Sequence, residues 1–428
     1  MEEMLSKETV ISMLNVLVNA YAVSPNWGSE PGLGWNWVVN LSKYCNVFVI
    51  TEGEWREDIE KAVSQLPQRD NIHFYYNPVS PEIRRMCWNQ GDWRFYKYYR
   101  QWQNRTLGIA REIIKSNHID VIHQLNMIGF REPGSLWQIK DIPFVWGPVG
   151  GYGWTTLKYL NGQPLQLKAK AIIKNLINYF QGRFYPLSNR AIKRADCVLA
   201  ANSKVFDFIS KNLRNDVILM NETGCYEKEI PLNDICCDTE TFNLLWVGKF
   251  DYRKQLELAI RTVSILKQVQ SQVILNIVGD TNNAEYKRLS ELVKSLGIEN
   301  NIVWHGKIPN ADVHQMMQKS DLFLFTSIDE GTPHVVLEAI QNNLPVICFD
   351  TCGQGDVVNE EVGIKIPLTD SQQSPADFAK EISSIIEDRT KLKKMRHNCA
   401  KRQTELSWDS KIREMMEIYR TALEKYNG

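Results

Sequence analysis

The chain predicts an α/β protein built from two doubly wound, parallel-sheet domains in tandem. Short apolar runs of strand length alternate with stretches of helical apolar spacing, and the alternation restarts after a polar break at residues 220–240. At 428 residues the chain also exceeds what one ordinary core organises.

In the first series, residues 14–23 read as a central strand. The glycine- and proline-bearing stretch 24–34 reads as a loop, and residues 35–43 carry helical spacing. Residues 46–51, 120–125, 143–146 and 197–201 are apolar runs expected to add strands. The polar break supplies a linker. In the second series, strands are expected at 243–247, 273–278, 302–304, 322–325 and 344–349. The helices between them fall at about 255–268, up to about 296, and at 312–319. Helices at about 375–387, 390–403 and 408–426 complete the chain. Sheets of this kind bind ligands beyond the carboxyl ends of their strands, so two in tandem predict a cleft between them.

Composition removes several classes of function. Lysine plus arginine equals aspartate plus glutamate at 50 each, which leaves no basic excess for binding nucleic acid. The nine cysteines are scattered, without ligand spacing or a histidine partner. With the polar residues 1–12, which lack the order of a secretory leader, they lead to the expectation of reduced thiols in a cytoplasmic protein. No apolar run reaches the length of a membrane span. No Asp-x-Asp occurs, and no His/Asp/Glu cluster has ligand spacing, so neither a metal nor another cofactor is expected.

Glu330 and Glu338 stand eight positions apart across a strand-to-helix junction. Pro333 fits the first turn of a helix, where a missing N–H costs nothing. The turn at Gly331, Thr332 and Pro333 would then lead to the free amides of His334 and Val335. These lie at the positive end of a helix dipole, a place suited to phosphate. A carboxylate accepts two hydrogen bonds from a diol, so the pair suits a sugar or ribose attached to phosphate. A surface turn with an N-capping acid and a solvated helix glutamate fits the same spacing.

With these residues in view, the C-terminal half resembles the retaining, nucleotide-sugar-dependent glycosyltransferases of GT-B fold, family GT4. The Glu-x7-Glu signature of that family is matched by Glu330 and Glu338. Its strand, Gly-Arg and following lysine are matched by Val247, Gly248, Lys249 and Lys254, with lysine at 249 where arginine is usual. Residues 278–280, 304–307 and 337–346 continue the similarity. Gly32 and Leu33 occupy the place of the family's diglycine.

The resemblance implies two Rossmann-like domains facing each other across a cleft. Residues 1–220 would bind acceptor, 221–240 would link, and 241–408 would bind the nucleotide sugar. Residues 409–428 would form a helix returning to the first domain. It assigns Glu330 to the hydroxyls of the donor sugar and Glu338 to the ribose diol. Lys249 and Lys254 would neutralise the leaving diphosphate, and Gly32, Leu33 and the turn 331–335 would cradle it. Lysine at 249 keeps the charge but loses the bidentate fork of arginine. The histidine that many relatives carry after the strand at 143–146 is absent, since residues 147–151 read Gly-Pro-Val-Gly-Gly. His123 is the substitute chosen for an acceptor contact, and a core histidine is the competing reading.

Two stretches, 88–102 and 168–190, mix aromatic or aliphatic residues with cations. Resting on an anionic membrane, packing on the N-terminal sheet and lining the acceptor groove are all open for them. The function expected is transfer of a sugar from a nucleoside diphosphate to a hydroxyl of a glycan or lipid-linked glycan in the cytoplasm, with peripheral contact at the inner face of a membrane left open. A sugar-nucleotide epimerase and a non-catalytic sugar-nucleotide-binding subunit are the rivals.

Overall fold

A computed structural model describes residues 13–89, 92–125, 129–160, 165–230, 240–269, 272–331 and 333–427. Two parallel sheets form the framework. The first has seven strands, β1 (Asn15–Asn19), β2 (Asn46–Thr51), β3 (Ile72–Tyr76), β4 (Val121–Gln124), β5 (Phe144–Val149), β6 (Cys197–Ala200) and β7 (Ile218–Leu219), in the order β3-β2-β1-β4-β5-β6-β7. Its helices are α1 (Ser29–Leu41), α2 (Arg56–Val63), α3 (Pro81–Trp88), α4 (Phe95–Ser116), α5 (Leu165–Phe184), α6 (Pro186–Arg194) and α7 (Ser203–Asn212).

The second sheet has six strands: β8 (Phe242–Val247), β9 (Val273–Val278), β10 (Ile302–Gly306), β11 (Leu322–Phe325), β12 (Val346–Phe349) and β13 (Gly363–Ile366). Their order is β10-β9-β8-β11-β12-β13. Around it run α8 (Leu256–Val269), α9 (Ala284–Ser295), α10 (Asn310–Lys319), α11 (His334–Gln341), α12 (Cys352–Val357), α13 (Ser374–Glu387) and α14 (Arg389–Glu405). The last helix, α15 (Trp408–Asn427), packs on the first domain: Trp408, Ile412, Met415 and Tyr419 are buried with Val16, Val18 and Val145.

The central strands are continuous apolar runs because helices cover both faces. Val16 and Val18 of β1 join one core layer and Leu17 the other. Edge strands obey a weaker pattern. In β3 only Ile72 is fully buried, so the sequence Ile-His-Phe-Tyr-Tyr lacks an apolar run. β7 has two residues. Both were outside the strands expected from sequence, as was β13, whose Lys365 interrupts a four-residue strand.

A second difference concerns α1, which starts at Ser29, so that Gly32, Leu33 and Gly34 lie inside it rather than in a loop before it. Close packing demands these glycines. A Cβ on Gly32 would stand 2.3 Å from the Trp27 carbonyl oxygen, and one on Gly34 would stand 2.3 Å from that of Ala22. Pro31 is tolerated because it falls in the first turn. Pro333, expected in the first turn of its helix, instead occupies the cap position, and α11 begins at His334.

In each sheet the chain reverses its winding at one place. The reversal falls between β1 and β4 in the first sheet and between β8 and β11 in the second. Loops that leave such neighbouring strands in opposite directions open a crevice at their carboxyl ends.

Candidate active site

The loops after β8 and β11 hold the charged residues of the second domain, and hydrogen bonds join them into one unit. The Thr326 hydroxyl donates to the Lys254 carbonyl oxygen at 2.7 Å and receives the indole N–H of Trp246 at 3.0 Å. The Ile328 amide donates to the Arg253 carbonyl oxygen at 2.9 Å. This lacing places Lys254 Nζ 2.5 Å from Glu330 Oε1, with both side chains largely buried. Ser327 Oγ donates to the same oxygen at 2.8 Å. The Lys254 ammonium also lies 5.3 Å from the centre of the Phe325 ring. Lys249 stands on the same loop with an exposed side chain.

Beyond Glu330 the chain turns into α11. The amides of His334 and Val335 are its first two, and the carbonyl oxygen of Pro333 receives those of Val336 and Leu337. The first amides of a helix have no partner within it, which leaves those of His334 and Val335 directed out of its N-terminus. Glu338 follows one turn later, and burial raises its carboxyl above the ordinary range. A cavity of about 200 Å³ separates this helix from the first domain. Gly28, Ser29, Gly32 and Leu33 of the α1 region line one side, and His334 and Glu338 line the other. A larger concavity of about 620 Å³ lies beside α8 and α9. There Arg288 is already paired with Glu257 at 2.7 Å and Glu285 at 2.6 Å, so that wall offers satisfied charges.

The first domain adds two acids that the sequence did not point to. Glu222, just past β7, places Oε1 3.4 Å from where a Cβ on Gly150 would be, and Oε2 3.9 Å from one on Gly331. Its carboxylate therefore lies between the loop after β5 and the turn after Glu330. Glu30, in the first turn of α1, is pushed up to about 8 by burial and then by the Glu222 carboxylate. The same loops meet again where Lys204 Nζ approaches Asp329 at 3.5 Å and donates to the Trp154 carbonyl oxygen at 3.1 Å. Nothing local marks Glu30 or Glu222, since their proximity depends on how α1 packs against the segment after β7.

His123 does not reach this cleft, which overturns the acceptor contact expected of it. The residue is wholly buried on β4. Its Nε2 donates to the Gly147 carbonyl oxygen at 2.8 Å, and its Nδ1 accepts from the Tyr419 hydroxyl at 2.7 Å. Burial pushes it down to about 4, so it stays neutral and joins β4 to β5 and α15. Gly331 is exposed on the turn between Glu330 and α11, and Thr332 lies outside the described residues. Gly353, not anticipated, lets the start of α12 approach that turn, and its amide donates to the Glu330 carbonyl oxygen at 3.3 Å. Among the described residues, no group of three or more His, Cys, Asp or Glu is placed to hold a metal ion.

Residues 237–405 match the family described as Glycosyl transferases group 1. Over that stretch, about two fifths of its length, the chain is similar to the group 1 glycosyl transferases. The match takes in β8 to α14, and so Lys249, Lys254, Glu330 and Glu338. Protein CapJ of Staphylococcus aureus is 30% identical over 112 residues, which are 26% of this chain and 28% of that protein. The lipopolysaccharide 1,6-galactosyltransferase of Escherichia coli (strain K12) is 26% identical over 148 residues, 34% of this chain and 40% of that one. The chain spans about half or less of the length of the curated relatives it matches. Among solved structures, Anabaena Alr3699/HepE in complex with UDP and glucose superposes with a TM-score of 0.55. It is 15% identical, with 95% of this chain and 99% of that one covered. That superposition takes in both sheets, and the fold they form is GT-B.

Proposed function

We propose that the protein is a retaining glycosyltransferase that moves a sugar from a nucleoside diphosphate to a hydroxyl of a glycan or lipid-linked glycan. The observation that carries this reading is the Lys254–Glu330 pair, set at the strand reversal of the second sheet beside the N-terminus of α11. A leaving nucleoside diphosphate gains negative charge as the glycosyl carbon becomes cation-like, so the site must serve both charges at once. Lys254 and Lys249 would neutralise the diphosphate, joined by the amides of His334 and Val335 and by backbone near Gly32 and Leu33. The turn 331–333 would follow the phosphates into α11. Glu330 would grip the sugar hydroxyls next to the reacting carbon, and Glu338 would accept from the ribose diol. Retention would follow from attack on the face that the diphosphate leaves, with the departing phosphate oxygen taking the acceptor's proton. The co-crystallised UDP and glucose of the Anabaena protein and the galactosyltransferase name of the Escherichia coli relative support this reading. A lipid-linked acceptor would bring the protein to the inner face of a membrane.

A thermal-shift panel of UDP-, GDP- and ADP-sugars tests the donor assignment, since a ligand of the native state raises its stability with occupancy. One donor should give a selective rise that Glu338→Ala abolishes. Glu330→Ala should keep the rise and lose turnover. Lys254→Ala should lower kcat by about a hundredfold to a thousandfold, the usual cost of removing one group that meets developing charge. Consumption of donor without acceptor would favour an epimerase instead, and full transfer activity in all three variants would refute the site.

A further inference from the structure

Helix α5 is packed the wrong way round for a helix of a water-soluble domain. The stripe turned toward the protein is small and polar. Ala171, Asn178 and Gly182 are its buried residues. Asn178 Nδ2 donates to the Gly153 carbonyl oxygen at 2.7 Å, and Asn175 holds the backbone of Thr155 at 2.7 and 2.8 Å. A Cβ on Gly182 would stand 2.9 Å from the Phe208 ring. The opposite stripe carries Ile172, Ile173, Leu176, Ile177, Phe180 and Phe184, all exposed. Ile173, Leu176 and Phe180 keep 56%, 54% and 58% of their surface. Isolated exposed apolar residues need no explanation, but a contiguous helical face of six marks a contact surface.

Charge identifies what the face contacts. Between Asp141 and Asp196 the sequence holds eight lysines and arginines and no acid, in a chain whose total charge is zero. Lys168 borders the apolar stripe on one side, and Lys170 and Lys174 border it on the other. A second copy of the chain docked through the same face would set these cations against themselves. A surface of anionic phospholipid headgroups over an apolar interior complements both features. No described helix is long and apolar enough to cross a membrane, so α5 would lie along the surface.

We propose that α5 is an interfacial helix that seats the protein peripherally on an anionic bilayer, its apolar face entering the headgroup layer between its lysines. The seat lies close to the candidate site. Through Asn175 and Asn178, α5 holds the loop 153–155, where a Cβ on Gly153 would stand 3.9 Å from both carboxylate oxygens of Asp329. The inference stands apart from the transfer chemistry and needs no donor for its test.

Vesicle co-sedimentation of the full chain, with phosphatidylcholine alone and with phosphatidylglycerol added, measures it. The protein should pellet with the anionic vesicles and be released as salt rises. Replacing Lys168, Lys170 and Lys174 together by glutamine should weaken that partition about a hundredfold, at roughly a fivefold loss per cation. Leu176→Glu with Phe180→Glu should abolish it. These residues point outward, so both variants should unfold at the wild-type temperature. Failure of the wild type to bind anionic vesicles would overturn the proposal, as would equal binding by the variants. Self-association of the wild type that the same variants abolish would overturn it in favour of an interface between copies.

Discussion

Glu30 is the side chain whose proton the fold holds near neutral pH. Its carboxyl moves from 4.5 to about 8 through burial and the facing carboxylate of Glu222. A carboxyl raised in this way binds its proton more tightly in the folded state than in the unfolded one. The stability it contributes is therefore complete below about 4.5 and is lost as the pH climbs through about 8. Glu30→Gln keeps the shape and removes the titration. Thermal unfolding followed from pH 5 to 9 should show a smaller decline in that variant than in the wild type. An equal decline would mean that burial and the Glu222 carboxylate do not raise the Glu30 carboxyl. Other single side chains differ in how readable they were. Lys254 and Glu330 could be found from motif order alone. His123 could not be placed, because a histidine at the end of an apolar strand suits a cleft or a core. Only Gly147, Tyr419 and Trp37 around it decide for the core.

At the scale of elements, the donor turn depends on a glycine that no motif singled out. A methyl group on Gly353 would lie 2.6 Å from the Gly331 carbonyl oxygen and 2.8 Å from Pro333 Cδ. Both partners are backbone or ring atoms that cannot swing away, so the turn between Glu330 and α11 must shift. Gly353→Ala should cost about 1–3 kcal/mol of stability, as overpacking does. It should lower kcat by about a hundredfold, because displacements near 1 Å at a reacting centre cost that much. Urea unfolding and an initial-rate assay on the same preparation separate the two effects. A kcat within twofold of wild type would show that the position of the turn is not critical. The strands β2 and β11 were legible to the residue because burial on both faces imposes an apolar run, and β9 was legible although Asn276 interrupts its run. Short or edge strands such as β7 and β3 were not, since half of such a strand faces water or it ends after two residues. The start of α1 was hidden by its glycines and proline, which lower helix propensity and are kept there for close packing.

At the scale of the whole molecule, the two domains are joined on both flanks of the cleft. On one side α15 crosses from the second domain to the first, with Trp408 edge-on to Trp37 at 5.7 Å. On the other side Tyr159 leaves the first domain and is buried in the core of the second. Its hydroxyl lies 2.7 Å from Ser374 Oγ and its ring meets Phe349 edge-on at 5.6 Å. Nearby, the Ser203 amide donates to Asp356 Oδ2 at 2.8 Å. Tyr159→Ala should lower the unfolding free energy by about 3–5 kcal/mol, the cost of emptying a buried aromatic site. Tyr159→Phe, which loses only the hydroxyl contact, should lower it by about 1 kcal/mol. Similar values for both in urea titrations would place the packing of the ring outside the stability of the fold.

The amino-acid order alone determined the α/β class and the restart of the pattern near residue 240, while Lys249 and Lys254 came only from what the family resemblance implies. The class and the restart follow from periodicities and spacings within a few residues, which local geometry converts directly into elements. The meeting of Glu30 with Glu222, the enclosure of His123, the passage of Tyr159 into the other core and the outward turn of α5's apolar face were decided only by tertiary structure. Each depends on residues far apart in the chain, and a sequence pattern carries no term for which of its two faces a helix will present.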